Sequence, residues 1–193
     1  MGRIIVTNNV SLDGVMQAPA RPNEDTRGGF TRGGWANAYQ DDVLAAEMAG
    51  GMSRSGALLL GRRTYEDFHQ VWPNRRDNPF TEILDNTQKY VVATTLAEPL
   101  PWQNSTLIAD DVIATLAKLK DQLTGDLAIL GSGALIRSLL PHGLIDEFVL
   151  ITVPLLLGTG QRLFPTDGDP VRLELVRSVP TTKGALVTYY RPA

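Results

Sequence analysis

The chain has 193 residues, 43% of them hydrophobic, which suits one domain with a substantial core. Its formal net charge of −3 offers nucleic acid no global attraction, and the absence of cysteine excludes disulfides, thiolate metal sites and a cysteine nucleophile. No apolar run reaches membrane-spanning length, and Met1-Gly2-Arg3-Ile4-Ile5-Val6 lacks the long apolar segment of a signal peptide, so a soluble cytoplasmic protein is expected.

Residues 3–10 read as a strand, because Ile4-Ile5-Val6 is continuously apolar and β-branched, as a strand covered on both faces should be. Ser11-Leu12-Asp13-Gly14 breaks it with turn chemistry. A long aperiodic loop follows, with Pro19, Pro22, Gly28, Gly29, Gly33 and Gly34; such loops are often lids or binding loops. Arg27-Gly28-Gly29-Phe30 and Arg32-Gly33-Gly34-Trp35 superficially suggest an RNA-binding segment, but in an acidic chain they read as an ordinary glycine-rich loop. Residues 41–52 are helical, with Val43, Leu44, Glu47 and Met48 spaced to give an inner face. A buried strand at 57–60 leads through Gly61 to a short helix at 65–71, ended by Trp72-Pro73.

Residues 80–86 form a further helical turn or two. Strands follow at 90–93, ending in Thr94-Thr95, and at 105–109. Asp110 or Asp111 is placed to cap a helix running to about Leu123. The strand at 127–130 enters Gly131-Ser132-Gly133, and a helix over 134–140 stops at Pro141 and Gly143. Residues 145–157 are strand-like but interrupted at Pro154. Leu173, Leu175 and Val179 oppose Arg172, Glu174 and Ser178 in a strand over 172–179. The last strand, 185–190, is antiparallel to it because the connection is short. This order predicts an α/β fold over 1–193 as a single domain, with a mostly parallel sheet and an antiparallel C-terminal edge.

Gly61-Arg62-Arg63-Thr64 combines a strand end, a helix N-terminus, two guanidinium groups and a hydroxyl, an arrangement that can hold a phosphate. A solvated arginine pair is the alternative. Gly131-Ser132-Gly133 forms a second small-residue turn of the same kind, although Gly131 to Ile136 lacks the third glycine of a dinucleotide fingerprint. Thr94 and Thr95 either donate hydroxyls to the same anion or cap their strand. Asp13 either orients a ligand, transfers a proton or makes an Asx turn with Gly14. Glu47 is a carboxylate on a helix that can line a cleft. Trp35, Tyr39 and Trp72 are candidates for the walls around a flat substrate ring, with ordinary packing the rival reading. His69 and His142 have no partner at metal-ligand spacing, so no metal site is expected.

Together these stretches resemble the dihydrofolate reductase superfamily, and more closely its branch related to the C-terminal reductase domain of bifunctional riboflavin-biosynthesis proteins. The resemblance rests on Ile4-Ile5-Val6 with Ser11-Leu12-Asp13-Gly14, on Leu59-Leu60-Gly61-Arg62-Arg63-Thr64-Tyr65-Glu66, on Ile129-Leu130-Gly131-Ser132-Gly133, and on Leu144-Ile145-Asp146-Glu147 with Pro154-Leu155-Leu156-Leu157-Gly158. It implies a three-layer α/β/α fold and NADPH as cofactor. Hydride would pass to a small heterocyclic or carbonyl-like substrate. Arg62, Arg63 and Thr64 would contact the adenosine phosphates, with Thr94 and Thr95 nearby. Gly61 belongs to the same turn. Gly131, Ser132, Gly133, Ala134, Leu135 and Ile136 would hold the diphosphate and nicotinamide side. Leu12, Asp13 and Gly14 would border the nicotinamide, and Asp13 and Glu47 are the catalytic candidates. A cis peptide between Gly131 and Ser132 and a homodimer are also implied. The chain departs from the family where dihydrofolate reductases carry an acid near Ala45 and where riboflavin-type reductases carry a glutamate at Leu130. The alternatives are therefore a reductase of a ribosylaminopyrimidine phosphate and a nucleotide-binding protein without catalysis.

Overall fold

A computed structural model describes residues 2–75, 79–164 and 166–193. The strands make a mostly parallel eight-stranded sheet with an antiparallel edge. The chain groups into two compact units, residues 1–4 with 54–144 and residues 5–53 with 145–193. No helix among the described residues is long and apolar enough to cross a membrane.

In the first unit, β2 (Ser55–Gly61), β3 (Gln88–Val92), β4 (Ser105–Ile108) and β5 (Asp126–Leu130) lie in the order β4-β3-β2-β5, all parallel. The helices are α2 (Arg62–Val71), α3 (Pro79–Asn86), α4 (Val112–Gln122) and α5 (Gly133–Leu139). Ala57 to Leu60 are all buried, as the unbroken apolar run requires of a parallel strand. Helix α2 starts at Arg62, three residues before the sequence pattern placed it. Gly61 takes an extended conformation at the N-cap, and both arginines are good helix formers. Asp111 stands at the N-cap of α4 with φ of 42°, yet its side chain makes no capping hydrogen bond, contrary to the expected cap.

Lys89 is fully buried in this unit. Its ammonium donates to the carbonyls of Leu84 at 2.7 Å, Asp85 at 3.3 Å and Thr87 at 2.7 Å, closing the C-terminal end of α3. It also lies 4.4 Å from the ring centroid of Trp102. Burial lowers its pKa to about 8, while the nearby Asp85 pulls it upward. Trp102 donates its indole N–H to Asp85 at 2.6 Å and its backbone N–H to the Tyr65 hydroxyl at 2.9 Å, which anchors α2.

In the second unit, β1 (Ile4–Ser11), β6 (Glu147–Val153), β7 (Leu173–Pro180) and β8 (Leu186–Pro192) lie in the order β1-β6-β8-β7. β1 and β6 are parallel, and the β6–β8 and β7–β8 pairs are antiparallel. Helix α1 (Asp42–Arg54) begins where Asp41 accepts the Leu44 backbone N–H at 2.9 Å. The core joins Leu44 of α1, Val149, Ile151 and Val153 of β6, and Val187 and Tyr189 of β8.

The long loop after β1 is part of that core. Val15, Ala18, Phe30, Trp35 and Ala36 are all buried in it, so the loop is anchored at these positions. Gln17 ties it down, donating to the carbonyls of Asp25 and Arg27 and accepting the Gln161 N–H. Its apolar residues follow no helix or strand period, which hid their burial. β7 is exposed along most of its length and shifts register between Leu175 and Arg177, so the expected two-faced alternation does not hold.

Gly125 and Gly56 bring two backbones together in the first unit. A Cβ at Gly125 would lie 2.8 Å from the Gly56 Cα and 2.9 Å from its nitrogen. Gly125→Ala is expected to destabilise the protein by about 1–3 kcal/mol, as overpacking against rigid backbone does. Urea unfolding measures this, and a variant as stable as wild type would contradict the close approach.

Candidate functional site

The first unit carries the two small-residue turns, and side chains lock them to each other. The Gly61 N–H donates to Ser132 Oγ at 3.0 Å, and the Ser132 N–H donates to Thr64 Oγ1 at 3.0 Å. Ser132 Oγ in turn donates to the Leu130 carbonyl at 3.2 Å. Gly131 and Ser132 both take left-handed conformations, with φ of 61° and 52°. Glycine suits the first of these, since a Cβ at Gly131 would meet Thr64 Oγ1 at 3.3 Å. The peptide between Gly131 and Ser132 is not cis; Glu98–Pro99 is the cis bond found among the described residues. Two successive left-handed residues make the sharp turn by dihedral rotation alone.

Neither α2 nor α5 has a side-chain N-cap, so the first-turn N–H groups are not claimed by capping side chains. Arg62 pairs with Glu66 one turn on, at 3.2 Å, while Arg63 is exposed. Thr94 and Thr95 are exposed just past β3. Of the remaining turn residues, Gly133, Leu135 and Ile136 are buried and Ala134 is exposed.

In the second unit, Asp13 sits at the carboxyl end of β1. Its carboxylate accepts the Ser11 hydroxyl at 2.6 Å and the backbone N–H groups of Leu157 at 3.1 Å and Gly158 at 2.8 Å. The Ser11 hydroxyl leads these interactions in lowering the Asp13 pKa to about 2. Arg162 donates to the Asp13 carbonyl, and Gly14 turns the chain with φ of 80°. Asp13 therefore carries no proton at neutral pH and clamps the segment after β6. The carboxylate is thus taken up by groups of the chain itself, in place of an Asx turn with Gly14. Leu12 is 62% exposed beside this clamp.

Glu47, on α1, accepts both terminal nitrogens of Arg177 and the hydroxyl of Tyr189. The Arg177 guanidinium lies 4.3 Å from the Tyr189 ring centroid. Burial first, then the Glu47 carboxylate, raises the Tyr189 pKa above its ordinary value. Sequence reasoning missed Arg177 and Tyr189, which lie 130 and 142 residues from Glu47. The hairpin held a signal, because Arg177 and Tyr189 are cross-strand partners between β7 and β8.

The three aromatic candidates all make packing contacts. Trp35 is buried, with its indole N–H donated to the Gln17 carbonyl at 2.7 Å, so it offers no face to a substrate ring. Tyr39 packs against the same core. In the first unit, Trp72 meets Phe68 edge-on at 6.4 Å, and Arg75 lies 5.6 Å from its ring centroid.

A family model described as the RibD C-terminal domain matches residues 3–187. YyaP of Bacillus subtilis (strain 168), itself uncharacterised, is 27% identical over 144 residues, 72% of this chain and 75% of that protein. A putative riboflavin biosynthesis protein from Shewanella sp. PV-4 aligns with a TM-score of 0.72 and 23% identity, covering 99% of each chain. Dihydrofolate reductase from Enterococcus faecalis, solved with NADP(H), aligns with a TM-score of 0.63 and 16% identity over 99% of this chain and 96% of that one. The diaminohydroxyphosphoribosylaminopyrimidine deaminase/5-amino-6-(5-phosphoribosylamino)uracil reductase of Thermotoga maritima aligns at 0.66 with 15% identity, over all of this chain and 57% of that one. These structural likenesses show a dihydrofolate-reductase-like fold.

The Asp13 clamp generates a pH test. The folded pKa lies below the ordinary 3.8, so the contribution is complete above about pH 5 and drains away as pH falls through 3.8 towards 2. Asp13→Ala is expected to cost about 1 kcal/mol at pH 7, given solvent screening. The gap in Tm between variant and wild type should close as the pH falls. A gap of full size at pH 2 would rule out the carboxylate as its source.

Proposed function

The chain belongs to the RibD C-terminal domain family, and from that premise we propose that it is an NADPH-dependent reductase. It passes a hydride from the nicotinamide to a small heterocyclic or carbonyl-like substrate. The observation that carries this reading is the Gly61–Ser132–Thr64 lock, which holds two strand-to-helix turns in place before any ligand arrives. In this reading the N-terminus of α2, with Arg62, Arg63 and Thr64, takes the adenosine phosphates, and Thr94 and Thr95 assist. The turn from Gly131 to Ile136 takes the diphosphate. Thr64 Oγ1 accepts one hydrogen bond and keeps its own O–H to donate.

Leu12, Asp13 and Gly14 border the nicotinamide, where the Asp13 clamp keeps the strand end in one conformation. The cofactor supplies the hydride; the protein's residues bind, orient and exclude water. Tyr189 with Glu47 is the proton-holding pair in this reading, because burial keeps the phenol protonated and Glu47 fixes its orientation. The name of the Thermotoga maritima neighbour, a 5-amino-6-(5-phosphoribosylamino)uracil reductase, makes reduction of a ribosylaminopyrimidine phosphate the second reading. The protein is proposed to work as a homodimer through β7, whose Leu175 and Val176 are 57% and 51% exposed on a sheet edge.

Tryptophan fluorescence titration tests the cofactor: NADPH should quench at micromolar to millimolar concentration, and no quench by either NADPH or NADH would sink the proposal. Arg63→Ala should weaken NADPH by about tenfold and leave NADH nearly unchanged, because the charged fork meets the extra phosphate. Equal weakening of both would remove Arg63 from that role. For the assembly, Val176→Asp should convert a dimer to a monomer in light scattering; a wild type that is monomeric at all concentrations would dispose of the dimer.

A further inference from the structure

β1 alternates, so Ile5, Thr7, Asn9 and Ser11 share one face of the strand. Ile5 packs against the second unit's core, which places Asn9 on the core side. Its neighbours in register are apolar: Asn9 pairs with Ile151 on β6, and Ile151 pairs with Val187 on β8. Ile151 is 2% exposed and Val187 is fully buried. Within this row the Asn9 Oδ1 is shut off from solvent and has no hydrogen-bond partner among the described residues, although the residue as a whole is only half-buried.

Several other polar groups of the same unit are answered from within the chain. Tyr189 meets Glu47, Glu47 meets Arg177, and Ser11 meets Asp13. An unanswered buried acceptor costs desolvation free energy with no return, and an aliphatic side chain would fill the row without that loss. The position lies near the carboxyl ends of β1 and β6, where open α/β sheets bind their ligands. Just beyond it, Leu12 and Leu156 are 62% and 69% exposed, in segments joined by the Leu12 N–H to Leu155 carbonyl bond at 2.9 Å. Exposed apolar side chains beside one unsatisfied polar group match the make-up of a small-ligand site.

We infer that Asn9 is a specificity-determining residue whose side-chain amide reads a lactam edge, an N–H beside a C=O, on a planar heterocyclic substrate. This rests on the reductase reading and deepens it. A primary amide presents one acceptor and one donor side by side, and a cis-amide edge is its complement through two antiparallel hydrogen bonds. The terminal torsion of asparagine is soft and roughly two-fold, so the amide turns its oxygen outward when a donor arrives. A plain ketone or aldehyde has no N–H to offer and leaves the oxygen unanswered. Leu12 and Leu156 supply the apolar contact for the ring.

Quinazoline-2,4-dione and its 1,3-dimethyl derivative are the probes, titrated calorimetrically into the full chain with and without saturating NADP. Wild type should bind the dione at least about tenfold more tightly than the dimethyl compound. Asn9→Leu should bring the two within about threefold, with NADPH affinity unchanged and Tm equal or higher. Asn9→Ala serves as the second variant if the leucine does not fold, with the same loss of discrimination expected. Equal binding of both probes by wild type, binding of neither, or discrimination retained in the variants would overturn the assignment. So would a fall of several degrees in the Tm of both variants, which would make the amide a structural group. The titration without cofactor keeps the outcomes separate. If NADPH fails to bind, the reductase reading falls, while probe discrimination in the apo protein still decides the role of Asn9.

Discussion

The hydrogen bonds among Gly61, Thr64 and Ser132 are the constraint on which the candidate phosphate-binding part of the first unit depends. They join residues 68 and 71 positions apart in sequence, and each satisfies a backbone N–H at a turn that would otherwise need water. Each bond contributes about 1 kcal/mol net, but the geometric effect is larger than the energetic one. With Ser132 held in a left-handed conformation, α5 starts in a defined place relative to β2. With Gly61 extended, α2 starts at Arg62. Two helix N-termini are thus fixed by bonds within the chain itself.

The second unit uses charge in a different way. Asp13 and Glu47 were both candidates for proton chemistry on their residue type alone. Their surroundings separate them. Asp13 collects a hydroxyl and two backbone donors, so its charge is spent on holding the segment after β6. Glu47 holds a phenol and a guanidinium on the sheet face beside α1. The first arrangement fixes backbone, and the second keeps a proton on a defined oxygen. The anchored loop after β1 supports both, because its Val15, Phe30 and Trp35 are built into the same core.

Much of the fold was legible in the chain. Ala57-Leu58-Leu59-Leu60 reads as a buried parallel strand because four successive apolar residues leave no solvent face. The glycines at 61 and 131 mark real turns at strand ends. What misled were residues whose local pattern has more than one solution. Trp35 is by type a ligand wall or a core residue, and its burial in an aperiodic loop agrees with the packing reading. Asp111 has a capping side chain at a capping position, but its left-handed backbone forms no capping bond. Leu173, Leu175 and Val179 read as one half of an alternating strand, but the register shifts after Leu175 and that residue is exposed.

By itself the sequence determined the order of strands and helices, the two small-residue turns and the arginine pair in the first of them, because periodicity and turn chemistry act between near neighbours. Tertiary structure alone decided the partners. Asp13 meets Leu157 and Gly158, Glu47 meets Arg177 and Tyr189, and Asn9 meets Ile151 in register but, among the described residues, no donor for its oxygen. These relations depend on strand register and on backbone groups more than a hundred residues away. No local rule carries that information, since a side chain's chemistry is set by what the fold brings within about 3 Å of it.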